Sequence, residues 1–330
     1  MIFGAAARLR RALHGAGLLQ AARLPRPVVS VGNLSMGGAG KTPHVMQLAR
    51  WLAREGYRPA ILSRGYGRRS RGVVWVSDGA EKTAGVRECG DEPVLLARSL
   101  PGIPVVVGES RAEAGREVLV RFPVDVFLLD DGFQHLSLRR DFDLLLVDCE
   151  RGLGNRRTVP LGTLREPPSH ARFADGMVVT KCPDAAAGEK VARTVPFPEG
   201  RPRAYSRLVP RGIVGRDGKP LDGVRPGSEL FAFSGLARNG QFRDTLESAG
   251  YRLRGFLPFP DHHAYVRSDL ERIARESAGL PVVTTEKDLV RLPSDPPFPA
   301  GALRVEVEYL SGWEDLSRSI LRRLGRDVPR

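Results

Sequence analysis

The chain is expected to fold as a doubly wound α/β protein. It should carry a P-loop NTPase-like, mostly parallel sheet and a second, smaller α/β domain joined by a β-hairpin linker. Three features of its 330 residues lead there. Short β-branched apolar runs alternate with helical patterns from residue 27 onward. The first run delivers a glycine-rich turn ending in Gly-Lys-Thr to an amphipathic segment. A Pro-, Gly- and Arg-rich stretch then breaks the alternation before it resumes.

The N-terminal "MIFGAAARLRRALHGAGLLQAARL" has arginines in its middle, which breaks any signal-peptide core. Drawn as a helix, it places Phe3, Ala6, Leu9, Leu13 and Ala16 three and four residues apart. Two readings stand for residues 1–26: an interfacial helix lying on anionic lipid, or a helix packed on its own domain.

A nucleotide-binding domain is expected over 27–205. "VVSV" (28–31), "AILS" (60–63), "PVVV" (104–107), "VDVFLLDD" (124–131), "FDLLLVD" (142–148) and "GMVVT" (176–180) are nearly all apolar. Strands covered on both faces need that composition. Helices are predicted over 43–55, where Val45, Leu48, Ala49 and Leu52 share a face, and over 109–121. Residues 206–228 read as the hairpin linker, with "GRDGKP" as its turn. Alternation returns over 229–330, with strands at 229–236, 251–259, 280–288 and 303–309 and helices near 241–249 and 268–277.

The net charge is +13, with a pI near 10.3, and no acidic residue precedes Glu55. A cationic N-terminus favours an anionic partner. The three cysteines, Cys89, Cys149 and Cys182, are spaced apart without a C-x-x-C pair, which argues against a disulfide framework or zinc site. No run reaches the ~18 apolar residues of a membrane span.

"SMGGAGKT" (35–42) follows a strand and opens a helix. Backbone N–H groups and the positive end of the helix dipole would converge on one phosphate there. Gly37, Gly38 and Gly40 admit close approach, while Ser35, Met36 and Ala39 complete the turn. Lys41 would hold the β- and γ-phosphates and Thr42 would ligate Mg²⁺. Ser35 stands where the general pattern has Gly. Asp130 and Asp131 fall at the end of an apolar strand, where two adjacent carboxylates call for a cation. A nucleotide with Mg²⁺ is therefore expected at this site.

The motifs "SVGNLSMGGAGKTP", "LSRGYGR", "GDEP", "LDDGFQH", "LREP", "FAFSGLARN", "FPDHHAY" and "TTEKDLVRL" occur in that order. Together they closely resemble the tetraacyldisaccharide 4′-kinases of lipid A biosynthesis, over nearly the whole chain. Ser35 is then a family mark. The resemblance implies transfer of the ATP γ-phosphoryl to the 4′-hydroxyl of an acylated glucosamine disaccharide 1-phosphate lipid, giving lipid IVA. It also implies two α/β domains with the ligands between them, and a peripheral place on the cytoplasmic face of the inner membrane. A monomer that does not bind nucleic acid is expected.

Asp91 and His262 match the family's catalytic dyad, with Lys41 as the third catalytic residue; the sequence alone leaves open whether His262 or His263 points inward. Arg64, Tyr66, Glu92, Arg111, Gln134, His135, Arg165 and Glu166 are candidate substrate residues, and the basic loop that carries Arg64 could equally be solvated. "TKCPD" (180–184) is like the base-reading motif of GTPases, but starts with Thr and is one residue too long. The rival class is a P-loop switch ATPase of the partitioning or metallochaperone kind. Those carry a Lys before the paired glycines, where this chain has Met36.

Overall fold

The computed structural model describes residues 2–80 and 84–325, and side chains from Gly4 onward within them. Phe3, expected on the apolar face of the first helix, has its side chain outside the described residues.

In chain order the elements are α1 (Ile2–Gly15), β1 (Val28–Asn33), α2 (Lys41–Arg54), β2 (Pro59–Ser63), β3 (Val74–Ser77), α3 (Val86–Cys89), α4 (Asp91–Ser99), β4 (Val105–Val107), α5 (Arg111–Arg121), β5 (Val126–Asp130) and β6 (Phe142–Asp148). A 3₁₀ segment, Pro168–Phe173, leads to β7 (Gly176–Thr180), α6 (Ala185–Ala192) and β8 (Arg203–Val214). Then come β9 (Glu229–Ser234), α7 (Asn239–Ser248), β10 (Arg252–Pro258), α8 (Arg267–Ser277), β11 (Val282–Thr285), α9 (Glu286–Arg291), β12 (Ala300–Ser311) and α10 (Trp313–Arg323).

The strands form one sheet in the order β10-β9-β11-β12-β8-β7-β6-β1-β5-β2-β4-β3. All neighbours are parallel except β12–β8 and β3–β4. The apolar runs are buried on both faces as expected. Val29, Val31, Ile61, Val126 and Leu128 face α2, α4 and α10, while Val28, Ala60, Leu62, Phe127 and Leu129 face α5. Alternate residues of one strand thus enter opposite layers. Gly32 on β1 permits a close crossing: a Cβ there would lie 2.7 Å from the backbone nitrogen of Phe133.

The expected boundary at residue 205 falls inside β8, which takes the first part of the expected hairpin linker, 206–214, as strand. The rest, 215–228, stays turn and irregular chain, with the turn at 215–219 closed by the Gly215 N–H to the Lys219 carbonyl at 2.8 Å. The β8–β12 ladder hides its strand character behind charge: Arg207 pairs with Glu308 at 2.5 Å, and Arg211 with Glu306 at 3.1 Å.

This ladder also sets the geometry of the site. β7 pairs with the first residues of β8 (Arg203 to Tyr205), and β11 with the first residues of β12 (Ala300 to Leu303). Because β8 and β12 are antiparallel, those two attachments lie at opposite ends of the ladder. The two half-sheets therefore run toward each other, and their carboxyl ends face across a cleft.

α1 presents Gly4, Ala7 and Arg11 inward, whereas Ala6 and Ala16 are exposed and Leu9 is 61% exposed. The apolar face expected of this helix thus points largely outward, while Arg11 points inward to a buried partner described below.

Candidate active site

The Gly-Lys-Thr turn leaves the carboxyl end of β1. Gly40 sits in the left-handed region at φ 75°, as the residue before the first turn of α2. Gly37 lies at φ 101°, and glycine adopts both without steric cost. The first turn of α2 holds no acidic residue, so its N–H groups and dipole remain open to an anion. Asn33 Nδ2 donates to the carbonyl of Ser35 at 2.8 Å and to its hydroxyl at 3.1 Å, fixing the entry to the turn. Met36 is exposed and Ala39 buried. Lys41 Nζ lies 3.3 Å from Asn33 Oδ1 and 3.5 Å from Asp131 Oδ1. Thr42 is buried beside it.

Asp130 ends β5, next to β1 in the sheet. It accepts from the Ser63 hydroxyl at 3.1 Å, and its Oδ1 has no hydrogen-bond partner. Burial, together with the charges of Glu92 and Asp131, pushes its carboxyl up to about 7. Asp131 follows in a left-handed conformation, φ 52°, which is unusual outside glycine. Arg165 Nη1 holds it at 2.7 Å. Burial would raise its pKa, but Lys41 and Arg165 outweigh that and hold the carboxylate low.

Across the cleft, the β10–α8 loop carries His262 to α4. His262 Nδ1 is 3.1 Å from Asp91 Oδ2. Arg291 on α9 also grips Asp91 Oδ2, with its Nε at 3.0 Å, and bonds Asp288 at 2.9 Å. Burial opposes ionisation of Asp91, but the bond from His262 and the charges of Lys287 and Arg291 hold it well below the usual carboxylate range. The same bond raises the His262 imidazole above its ordinary value against partial burial. His262 adopts φ 58° to make this turn. His263 points elsewhere: its Nε2 is 2.8 Å from Asp269, and its ring stacks on Phe259.

The remaining candidates divide by environment. Tyr66 is largely exposed with its ring 6.4 Å from that of His262, and Arg64 is exposed. Arg68 of the same basic loop is taken by Glu109 at 2.6 Å. Glu92 pairs with Lys287 at 2.6 Å. Gln134 Nε2 donates to the Asn33 carbonyl at 3.0 Å, and Gln134 Oε1 accepts from Arg165 Nη1 at 3.4 Å. Arg111 is 5% exposed with its Nε unpartnered. Burial and the nearby Arg64 lower its pKa to about 10. His135 is held neutral, at about 4, by burial and by Arg111, Arg140, Arg64 and Arg10. Glu166 faces α1 in a buried cluster: Arg11 Nε at 2.9 Å and His170 Nδ1 at 2.9 Å. The Arg11 guanidinium also lies over the Phe133 and Phe173 rings.

Sequence reasoning quoted "TTEKDLVRL" without giving Lys287 or Arg291 a role. Their spacing of four puts both on one face of α9, which was the available signal. It also missed Arg11, whose partner is distant in sequence.

The family model described as tetraacyldisaccharide-1-P 4′-kinase matches residues 1–325. A tetraacyldisaccharide 4′-kinase of Anaeromyxobacter dehalogenans is 43% identical over 96% of this chain and 87% of its own length. One from Syntrophus aciditrophicus is 44% identical over 86% and 80%. A solved structure, LpxK from Aquifex aeolicus in complex with ATP, superposes with a TM-score of 0.82 at 34% identity, covering 98% of this chain and 96% of that one. With whole-length matches of this kind and the site geometry above, the chain belongs to the tetraacyldisaccharide-1-P 4′-kinase family.

Proposed function

We propose that this protein transfers the γ-phosphoryl of ATP to the 4′-hydroxyl of a tetraacylated glucosamine disaccharide 1-phosphate, forming lipid IVA. The observation that carries the reading is the meeting of Asp91 and His262 across the cleft, with the adjacent Glu92 close enough to raise the pKa of Asp130. Asp130 in turn ends the strand beside β1, which delivers the phosphate turn.

The turn would receive the triphosphate on the N–H groups of α2, with Lys41 exchanging Asp131 and Asn33 for phosphate oxygens. His262 would donate Nδ1–H to Asp91, with Arg291 Nη2 also 3.1 Å from Nδ1, and Nε2, 4.0 Å from Asp261 Oδ1, would accept the hydroxyl proton. Asp91 fixes that tautomer and stabilises the imidazolium, while Arg291 and Lys287 keep the carboxylate ionised. Arg64 and Tyr66 flank the entrance and Arg111 and His135 lie deeper, where an anionic acceptor would be oriented.

The carboxylate pair fits a hard divalent cation. Asp130 carries a buried oxygen without a partner, and no cluster of three or more His, Cys, Asp or Glu side chains converges among the described residues. Mg²⁺ suits such a sparse set, since it keeps waters and takes the rest of its shell from phosphate. Asp130, Asp131 and Thr42 would hold it, and it would neutralise charge on the migrating phosphoryl.

No helix among the described residues is long and apolar enough to cross a membrane. Leu9, Leu18 (73% exposed) and Leu19 nevertheless leave apolar side chains outside on and after α1, beside Arg8 and Arg10. That surface suits peripheral contact with anionic lipid on the cytoplasmic face of the inner membrane. We take the protein to act there as a monomer, without nucleic acid. The reading is tested by incubating it with γ-labelled ATP, Mg²⁺ and detergent-dispersed disaccharide 1-phosphate lipid. Label on the lipid supports the reading; label released only as inorganic phosphate contradicts it.

A further inference from the structure

Three successive carbonyls of the glycine-rich turn each accept a hydrogen bond from a side chain behind it. Lys181 Nζ reaches the Gly38 oxygen at 2.6 Å, and Thr180 Oγ1 the Ala39 oxygen at 3.0 Å. His44 Nδ1 reaches the Gly40 oxygen at 2.7 Å. Thr180 and Lys181 open the "TKCPD" segment, and nothing in the reaction described above uses them.

Each donor is itself anchored. Lys181 pairs with Asp148 at 2.8 Å, and Asp148 accepts from the backbone N–H groups of Glu150 at 3.0 Å and Arg151 at 3.1 Å. Thr180 is the last residue of β7 and is fully buried. His44 lies on α2 with its Nε2 3.0 Å from the Ser206 hydroxyl of β8. Burial keeps its ring neutral, so Nδ1–H donates to Gly40 while Nε2 accepts from Ser206. The ends of β6 and β7 and the β8 strand thereby grip the turn from one side.

The grip has a geometric consequence. In a trans planar peptide, the carbonyl and the following N–H point in opposite directions. Holding the Ala39 and Gly40 carbonyls from behind turns the N–H groups of Gly40 and Lys41 to the other side, where phosphate oxygens would accept them. The Ala39 N–H is bonded to the Gly37 carbonyl at 3.1 Å, so the Lys181 contact fixes the shape of the turn itself. A glycine-rich segment without such contacts samples many conformations, and ligand binding would have to order it.

We propose that Thr180, Lys181 and His44 are positioning residues that set the turn in its phosphate-receiving form before nucleotide arrives. The inference rests on the reading of this turn as the ATP site. Thr180 gives the cleanest test, because its buried hydroxyl cannot touch the nucleotide.

The experiment measures ATP affinity of the full chain by calorimetry, and kcat and KM for ATP and lipid by label transfer. It uses Thr180→Val, Thr180→Ser and Lys181→Met. Thr180→Val should weaken ATP binding and raise KM for ATP roughly 5- to 10-fold, the effect of one lost neutral hydrogen bond. kcat at saturating ATP and KM for the lipid should stay within about twofold. Thr180→Ser, which keeps the donor, should recover most of the affinity. Lys181→Met should cost roughly 10- to 100-fold, as a charged donor is lost. ATP bound by Thr180→Val as tightly as by the unaltered protein, with only a lower melting temperature, would overturn the proposal. Unaltered Lys181→Met affinity would do the same. Failure of the unaltered protein itself to bind ATP would overturn the ATP reading of the turn as well, which separates the two cases.

Discussion

His262 Nδ1 and Asp91 Oδ2 stand 3.1 Å apart although 171 positions separate the residues in the chain. The opposed half-sheets on the β8–β12 ladder bring them together, and the pairing is our reason for proposing His262 over His263 as the base. His262→Ala should lower kcat by roughly 10²- to 10⁴-fold, the range for a general acid–base group, with ATP affinity near normal. His263→Ala should leave kcat within a few-fold and act on stability, since its partners are Asp269 and Phe259. Steady-state kinetics of both variants check the assignment; the reverse pattern would shift it by one residue.

The dyad also sets a pH dependence. The bond to Asp91 raises His262 above its ordinary pKa, so the ring takes up a proton at a higher pH than a free histidine. A base must be neutral, so kcat/KM should fall as pH drops through a midpoint above 6.5. Asp91→Asn removes the cause of the rise. Its residual activity should show a midpoint moved to lower pH. A pH–rate profile on both proteins reads the shift.

Lys41 is the cation of the turn. Lys41→Ala should abolish transfer to within measurement, a loss of at least about 10²- to 10³-fold by comparison with removal of one preorganised charge donor. Full activity in the label-transfer assay would exclude this turn as the site.

His44 ties acid stability to the turn. Its folded pKa is about 4, below the unfolded value of 6.5. Between those values the unfolded chain binds a proton that the native chain does not, so stability is lost as pH falls from about 6.5 toward 4. For a fully buried ring the loss is at most about 3 kcal/mol. His135, also lowered to about 4, adds to the same window. Urea unfolding at pH 7 and pH 5 should therefore show a smaller pH penalty for His44→Gln than for the unaltered protein.

The outer face of α1 is open to a direct test. Leu9→Ser with Leu18→Ser removes two exposed apolar side chains without touching the Arg11–Glu166 anchor. Binding to anionic vesicles should weaken by roughly tenfold per leucine if both enter the lipid. Unchanged co-sedimentation would leave α1 as a structural helix only.

Much of this was readable from the residues. The parallel strands announced themselves because burial on both faces demands unbroken apolar runs, and the phosphate turn because glycine, lysine and threonine follow a strand. β12 was expected at 303–309, but β8 as its partner was not readable. The ladder's Arg207, Arg211, Glu306 and Glu308 neutralise one another only once the strands pair, so β8 looked like a polar linker. The inward face of α1 was not readable for a related reason: it carries an arginine, acceptable there because Glu166 meets it. Lys181 and Thr180 show the same limit, since their acceptors are backbone oxygens that no side-chain pattern marks.

The most direct test of the whole account is a structure of the protein with Mg²⁺ and a non-hydrolysable ATP analogue. The terminal phosphate should sit on the N–H groups of Gly40 and Lys41, with Lys41 Nζ moved onto it at about 3 Å and the Asp91–His262 pair facing it across the cleft. A triphosphate bound elsewhere, with Lys41 still on Asp131, would contradict it.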